Sequence, residues 1–143
     1  MKTIRYLGLA LATSLASFAA ADKRSPLTAE QKAFLSEYES VRAALAADDL
    51  SAANKAAAQI AKSQKNTASA AAEKIASAAK LDAAREAFKA LSKEALSVAK
   101  GQPGYFHANC PMVKNGEGDW VQTTRKINNP YFGKSMLTCG SIE

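Results

Sequence analysis

Residues 27–100 contain no glycine and no proline, and this absence constrains the fold more than any other feature of the chain. The segment is instead rich in alanine, lysine, glutamate, glutamine and leucine, which are strong helix formers. Glycine and proline are the residues that most often interrupt helices or form turns. The segment is therefore predicted to be helical over most of its length.

Four apolar stripes at helical spacing divide this segment into four predicted helices. The first helix is predicted to begin at a capping box, Thr28 with Gln31. Asp48 and Asp49 interrupt the first stripe and are suited to cap the second helix, while Gly101 is suited to end the fourth. The predicted buried positions are Phe34, Tyr38, Val41 and Leu45; Leu50, Ala53, Ala57 and Ile60; Ala68, Ala71, Ile75 and Ala78; and Ala84, Phe88, Leu91, Ala95 and Val98.

The composition changes abruptly after Lys100, because residues 101–143 hold six of the seven glycines and three of the four prolines. We therefore predict an all-α fold, with an antiparallel four-helix bundle over residues 22–100 and an irregular tail over residues 101–143. Two short strands around the glycine-rich turn at residues 115–119 would add a hairpin to the tail. The stripes of the bundle are mostly alanine, which buries little area per residue, so the tail is expected to pack on the helices and stabilise them.

The first 21 residues have the three-part pattern of a secretory signal peptide. Lys2 and Arg5 form a positive start, residues 6–18 are uncharged and mostly apolar, and residues 19–21 are three alanines suited to cleavage. The apolar stretch is shorter than the roughly 20 residues that span a bilayer, so we expect no stable membrane insertion. The alternative is an N-terminal membrane anchor. The pattern predicts a periplasmic or secreted protein whose residues 22–143 form a single domain.

The chain is basic, with a formal net charge of +6. The lysines and arginines are scattered along the predicted helices, and this pattern predicts a solvated helix face. A nucleic-acid interface would cluster them and interleave aromatic residues. We therefore expect no nucleic-acid partner. An alternative function for the lysine- and alanine-rich helices is to bind a membrane surface or a partner helix.

The candidate functional residues are two sulfur pairs in the tail. Cys110 and Met112 are separated by one residue, and Met136 and Cys139 by two. Thiolate and thioether are soft donors, which together select Cu(I) or Ag(I) over hard cations. His107, the only histidine of the chain, could add a nitrogen ligand. These residues indicate a soft-metal site, with Cu(I) as the expected ion.

Two other interpretations of the same residues remain open at this point. Two cysteines in an exported protein often form a disulfide, and a bond between Cys110 and Cys139 would make the methionines ordinary core residues. In the second interpretation, Cys110 is the nucleophile of an enzyme and His107 its base. A single histidine with no evident orienting partner argues against catalysis, so we predict that the protein is not an enzyme. Trp120 and Tyr131 are expected to be packing residues.

The tail resembles a family of uncharacterised exported bacterial domains, which occur alone or fused to the periplasmic adaptor subunits of heavy-metal efflux systems. The shared pattern is Cys-Pro-Met, a glycine-containing turn, a tryptophan, Asn-Pro-Tyr-Phe-Gly and Met-x-x-Cys-Gly. In this chain these are residues 110–112, Gly116 or Gly118, Trp120, residues 129–133 and residues 136–140. In the helical segment the likeness is confined to two short motifs, at residues 48–50 and 88–92.

The family is associated with copper, so the resemblance implies that Cys110, Met112, Met136 and Cys139 are copper ligands. It implies a protein that buffers, carries or senses copper in the cell envelope, with a periplasmic efflux or metal-delivery protein as its partner. The competing expectation is a helical interaction module that is stapled by the Cys110–Cys139 disulfide and binds no metal.

Overall fold

A computed structural model describes residues 25–143 of the chain. The helices are α1 (Ala29–Ala46), α2 (Leu50–Ser63), α3 (Thr67–Ala76) and α4 (Leu81–Ala99). The strands are β1 (Phe106–Asn109), β2 (Asp119–Gln122) and β3 (Ser141–Ile142), and single 3-10 turns occur at Lys114–Gly116 and Gly133–Ser135. The predicted signal peptide, residues 1–21, lies outside the described residues. None of the helices described is long and apolar enough to cross a membrane.

The helices α1, α2 and α3 begin at side chains that cap them, whereas α4 begins after Lys80 with no side-chain cap. Thr28 and Gln31 form the predicted capping box of α1, with the Thr28 hydroxyl accepting from the Gln31 N–H at 3.1 Å. The Asp49 carboxylate accepts from the Ala52 N–H at 2.9 Å and caps α2. Asn66 caps α3 in the same way. These side chains satisfy backbone donors that have no partner within the helix.

The apolar stripes face one another, as the periodicity predicts. Each helix packs on the next along the chain, and α4 also contacts α1 and α2. Most predicted core positions are fully buried; Leu50, Ala78 and Val98 lie at the edge of the core. The interior is narrow because many of its residues are alanine, which lets the helix backbones approach closely. The buried apolar residues of the helices are Phe34, Leu35, Tyr38, Val41, Ala44, Leu45, Ala46, Ala53, Ala57, Ile60, Ala68, Ala71, Ala72, Ile75, Ala84, Phe88, Leu91, Ala95 and Ala99.

The prediction of an all-α fold is wrong, because the C-terminal region forms a three-stranded antiparallel sheet and the protein is mixed α/β. The strand order is β2-β1-β3. β1 and β2 form the hairpin anticipated around the glycine-rich turn, with Ala108 opposite Trp120. β3 pairs with the other edge of β1, with Ala108 opposite Ile142. A two-residue strand has no recognisable period of its own, so its pairing depends on contacts distant in sequence.

The sheet packs on the helices through β2, which contacts α4 and α1. Trp120 is fully buried, and its ring lies 6.1 Å from that of Tyr131. The Tyr131 ring meets Phe88 of α4 at 5.7 Å, and Phe88 stacks on Tyr38 of α1 at 5.3 Å. A continuous aromatic column therefore joins the tail to the bundle, and Trp120 and Tyr131 are packing residues.

Candidate functional site

Two arginines of the helices hold the segment that carries the Asn-Pro-Tyr-Phe-Gly motif. Arg42 of α1 donates to the carbonyl oxygen of Asn128 at 2.8 Å, and Arg85 of α4 donates to that of Pro130 at 2.9 Å. Arg85 also bonds the Asp48 carboxylate, which accepts in addition from the Lys134 N–H at 3.2 Å. Arg42 is only 6% exposed, so the expectation that the helix cations form a solvated face is wrong at this position.

Asn129 shapes this segment from within. Its side-chain oxygen accepts from the backbone N–H groups of Tyr131 and Phe132 at 2.8 and 3.2 Å. Its side-chain nitrogen donates to the carbonyl oxygen of Cys139 at 2.9 Å. Asparagine commonly closes turns in this way, and here the same side chain also fixes the position of the second cysteine.

The two cysteines meet at the junction of these elements. Cys110 and Cys139 form a disulfide, with their Cα atoms 5.8 Å apart. Cys110 is 1% exposed, whereas Cys139 is partly buried. The bond connects the end of β1 to the residues just before β3, which brings β3 to the edge of β1.

Each cysteine is one end of a tight turn that also contains a methionine. In the first turn the Val113 N–H donates to the Cys110 carbonyl at 3.2 Å, with Pro111 and Met112 between them. Proline is favoured at this turn position because its ring fixes φ. In the second turn the Cys139 N–H donates to the Met136 carbonyl at 3.0 Å. The turns therefore present both thioethers close in sequence to the disulfide.

Neither methionine is a core residue. Met112 is 61% exposed and Met136 is 37% exposed, and they are the large apolar side chains that the described part of the chain leaves open to solvent. The interpretation of these methionines as core filler in a disulfide-bonded tail is therefore wrong. Met112 also lines an open groove of about 370 Å³ with Tyr131 and Phe132.

The structure places His107 in a different cluster from the sulfur atoms. Successive side chains of a strand point to opposite faces, and Ala108 and Cys110 are buried whereas the side chain of His107 is 39% exposed. The His107 Nε2 atom lies 2.7 Å from Asp119 Oδ1, and Nδ1 lies 3.4 Å from Glu143 Oε2. One ligand atom from each of these three residues falls within 4.8 Å of the other two.

The sequence interpretation missed Asp119 and Glu143. The predicted hairpin around residues 115–119 contained a signal for Asp119, because pairing of its two strands places Asp119 opposite Asn109, near His107. Glu143 carries no comparable signal, since it reaches His107 only through the pairing of β3 with β1. Its N–H donates to the His107 carbonyl at 3.0 Å.

Three pKa shifts mark the junction between helices and tail. A hydrogen bond from Arg85 lowers the pKa of Asp48 below its usual range. Burial raises the pKa of Tyr38 and of Tyr131 far above the usual value of 10.0. The Tyr38 hydroxyl bonds Ser92 at 2.8 Å and accepts from the Val121 N–H at 3.1 Å, whereas the Tyr131 hydroxyl donates to the Asp119 carbonyl at 2.6 Å. Both phenols are therefore structural links in their neutral form.

No curated protein and no solved structure matches this chain. A family model does match, over residues 34–103. That range covers most of the helical segment, including the short motifs at residues 48–50 and 88–92, and it ends before Cys110. The sulfur motifs that carried the resemblance thus lie outside the match. The helical part of this chain is matched by the family described as "Protein of unknown function (DUF3347)".

Proposed function

We propose that this protein is an exported, non-enzymatic copper-binding protein that buffers, carries or senses Cu(I) in the cell envelope. The observation that supports this best is the exposure of both methionines in the turns that contain the two cysteines, with Met112 61% and Met136 37% exposed. Neither methionine belongs to the buried core, and thioethers are ligands with a strong preference for Cu(I). The tail's resemblance to domains fused to heavy-metal efflux adaptors supports the same function.

In this proposal the complete site requires reduction of the disulfide. A dithiol reductant supplies two electrons and two protons, which convert the Cys110–Cys139 bond into two thiols and leave the reductant as a disulfide. Cu(I) binding then displaces the thiol protons and gives two thiolate ligands. Met112 and Met136 add neutral thioethers without adding charge. His107 is not included among the ligands, because its ring is held by Asp119 and faces away from Cys110.

The environment of Cys110 argues against a catalytic role. The side chain is 1% exposed and disulfide-bonded, whereas a nucleophilic cysteine must be accessible as a thiolate. The His107 imidazole, which would have to be the base, is directed to the other face of β1. A binding function is therefore better supported than catalysis.

The test is Cu(I) affinity, measured by competition with a chromophoric chelator under reducing conditions. Met136→Leu and Met112→Leu should each weaken Cu(I) binding several-fold. The double variant Cys110→Ser/Cys139→Ser should lose high-affinity Cu(I) binding altogether. Leu137→Ile is a volume-conserving control in the same turn and should leave the affinity unchanged. Unchanged affinity in both methionine variants would contradict thioether ligation.

The second candidate is a disulfide-stapled interaction module without metal, and the Cys110–Cys139 bond is the observation that favours it. The metal content and free-thiol count of protein purified from the periplasm distinguish the two functions. Copper with two free thiols supports the metal-binding function, whereas a quantitative disulfide with no copper supports the interaction module. The same sample tests export, since the intact mass should correspond to a chain that begins at Asp22.

A further inference from the structure

The imidazole of His107 lies between two carboxylates, one at each ring nitrogen. Nε2 is 2.7 Å from Asp119 Oδ1, and Nδ1 is 3.4 Å from Glu143 Oε2. A neutral imidazole carries a single N–H, so only one of these two contacts can be a hydrogen bond. At the other contact a lone pair of nitrogen faces a carboxylate oxygen 3.4 Å away, and a cation between these two atoms would stabilise the arrangement.

We propose that a borderline divalent metal ion, Zn²⁺ or Cu²⁺, binds between His107 Nδ1 and the Glu143 carboxylate, with Asp119 as a positioning residue. Histidine nitrogen and carboxylate oxygen are characteristic zinc ligands. Two ligands at bond lengths of about 2.0–2.1 Å around a tetrahedral ion are separated by about 3.4 Å. The observed separation of Nδ1 and Oε2 is also 3.4 Å.

The role of Asp119 follows from the shorter contact, between His107 Nε2 and Asp119 Oδ1. A separation of 2.7 Å is a hydrogen-bond distance and is too short for two ligands of a tetrahedral ion. Asp119 Oδ1 therefore accepts the Nε2 proton and leaves Nδ1 free to bind metal, which is the usual relation between a metal-bound histidine and its supporting carboxylate. Asn109 Nδ2 donates to the same oxygen at 3.1 Å and holds it in place.

The backbone pre-organises the three residues. β1 and β2 set Asp119 opposite Asn109, and the Glu143 N–H donates to the His107 carbonyl at 3.0 Å. The His107 and Asp119 side chains are 39% and 37% exposed, and both line an open groove of about 510 Å³. An ion can therefore reach the site from solvent, and water can complete its coordination.

This proposal does not rest on the copper function, because it uses no sulfur atom. The experiment is a calorimetric titration of the oxidised protein, free of any histidine tag, with ZnCl₂. Saturable binding of one ion per chain is expected. His107→Ala and Glu143→Gln should weaken it by at least about tenfold, and Asp119→Asn by about 10–100-fold. Glu73→Gln, which changes an exposed carboxylate of α3, is the control and should bind as wild type does.

A spectroscopic measurement separates ligation from a structural effect of these variants. The chain has one histidine, so the ring nitrogens of ¹⁵N-labelled protein give a single set of signals. Zn²⁺ should shift the Nδ1 resonance while Nε2 keeps its proton. The absence of saturable Zn²⁺ binding would overturn the proposal. Binding that survives both His107→Ala and Glu143→Gln, or a metal-shifted Nε2, would also overturn it.

Discussion

The helical region and the C-terminal region of this protein are stabilised in different ways. In the helices, burial follows the periodicity of the sequence, and Phe34, Tyr38 and Leu45 lie where an amphipathic stripe places them. In the C-terminal region, position is set by side chains that bond distant backbone carbonyls, as Arg42 does with Asn128 and Arg85 with Pro130. Local pattern therefore specifies the first region, whereas contacts distant in sequence specify the second.

The chemistry of the molecule is divided in the same way. Both exposed methionines, the disulfide and the His107 cluster belong to the C-terminal region, and the helices contribute apolar area and two arginines. Irregular segments held on a rigid scaffold commonly carry function, because their side chains need not satisfy a regular packing pattern. The comparison predicts that the C-terminal region also contributes much of the stability of the helices.

Removing the C-terminal region should have the largest effect. A chain that ends at Lys100 exposes Phe88 and Tyr38, which Tyr131 and β2 now cover, and each aromatic side chain is worth roughly 1.5–3 kcal/mol when fully buried. For the two side chains together, roughly 3–6 kcal/mol, this loss reaches the lower end of the total stability of a small domain, about 5–15 kcal/mol. Thermal unfolding followed by circular dichroism at 222 nm should lose its cooperative transition. A transition within a few degrees of that of the whole protein would show that the helices are independent.

Removing the disulfide should have the next largest effect. The bonded residues are 29 apart in sequence, and a loop of that length corresponds to about 3.5 kcal/mol in the chain-entropy model. The double variant Cys110→Ser/Cys139→Ser should lose about that much in urea unfolding. Its helical signal should be unchanged, whereas hydrogen exchange should accelerate at β3. Equal acceleration in α1 would contradict the separation of the two regions.

Gly133→Ala adds a single carbon atom, the Cβ, at the contact between the C-terminal region and the helices. Gly133 has φ of +55°, and a Cβ there would collide with the Asp48 carboxylate and the Arg85 guanidinium. Gly104→Ala is the matched control, because Gly104 also has positive φ, +83°, with nothing within 4 Å of an added Cβ. Both variants should show backbone strain of about 1 kcal/mol, and Gly133→Ala should cost about 1–3 kcal/mol more. Equal losses in urea unfolding would show that the contact is easily relaxed.

Ionisation of one buried tyrosine at alkaline pH should produce the smallest of these effects. The pKa values of Tyr38 and Tyr131 are raised in the folded protein, so the unfolded chain loses these protons first as the pH rises through about 10. The stability is fully present below that pH and should fall above it by about 1.4 kcal/mol per pH unit for each tyrosine. Urea unfolding at pH 9 and at pH 11 measures the loss.

Single tyrosine variants then compare the two regions directly. Tyr38→Phe removes the titrating group of α1, and Tyr131→Phe removes that of the C-terminal region. Each variant should reduce by about half the slope with which the free energy of unfolding falls as the pH rises, since both phenols are buried in one aromatic column. A slope that responds to Tyr38→Phe alone would mean that the C-terminal region detaches before the helices unfold.

The candidate site was predictable only in part. The spacing of Cys110, Met112, Met136 and Cys139 predicts a single sulfur site, and the structure joins the two cysteines of that set in a disulfide. The grouping of His107 with them was suggested by proximity in sequence. Cys110 directly follows β1 and is three positions from His107, so their side chains point to opposite faces and enter different clusters.

The amino-acid sequence by itself determined the four helices, the N-terminal caps of α1 and α2, and the buried stripes. These properties depend on interactions within three or four residues, and no glycine or proline interrupts them between residues 27 and 100. Only the tertiary structure decided that the tail forms a sheet, that Arg42 and Arg85 bind its carbonyl groups, and that Glu143 meets His107. Each of these depends on bringing together residues far apart in the chain, and a short strand or a helix arginine looks the same in sequence whether or not such a partner exists.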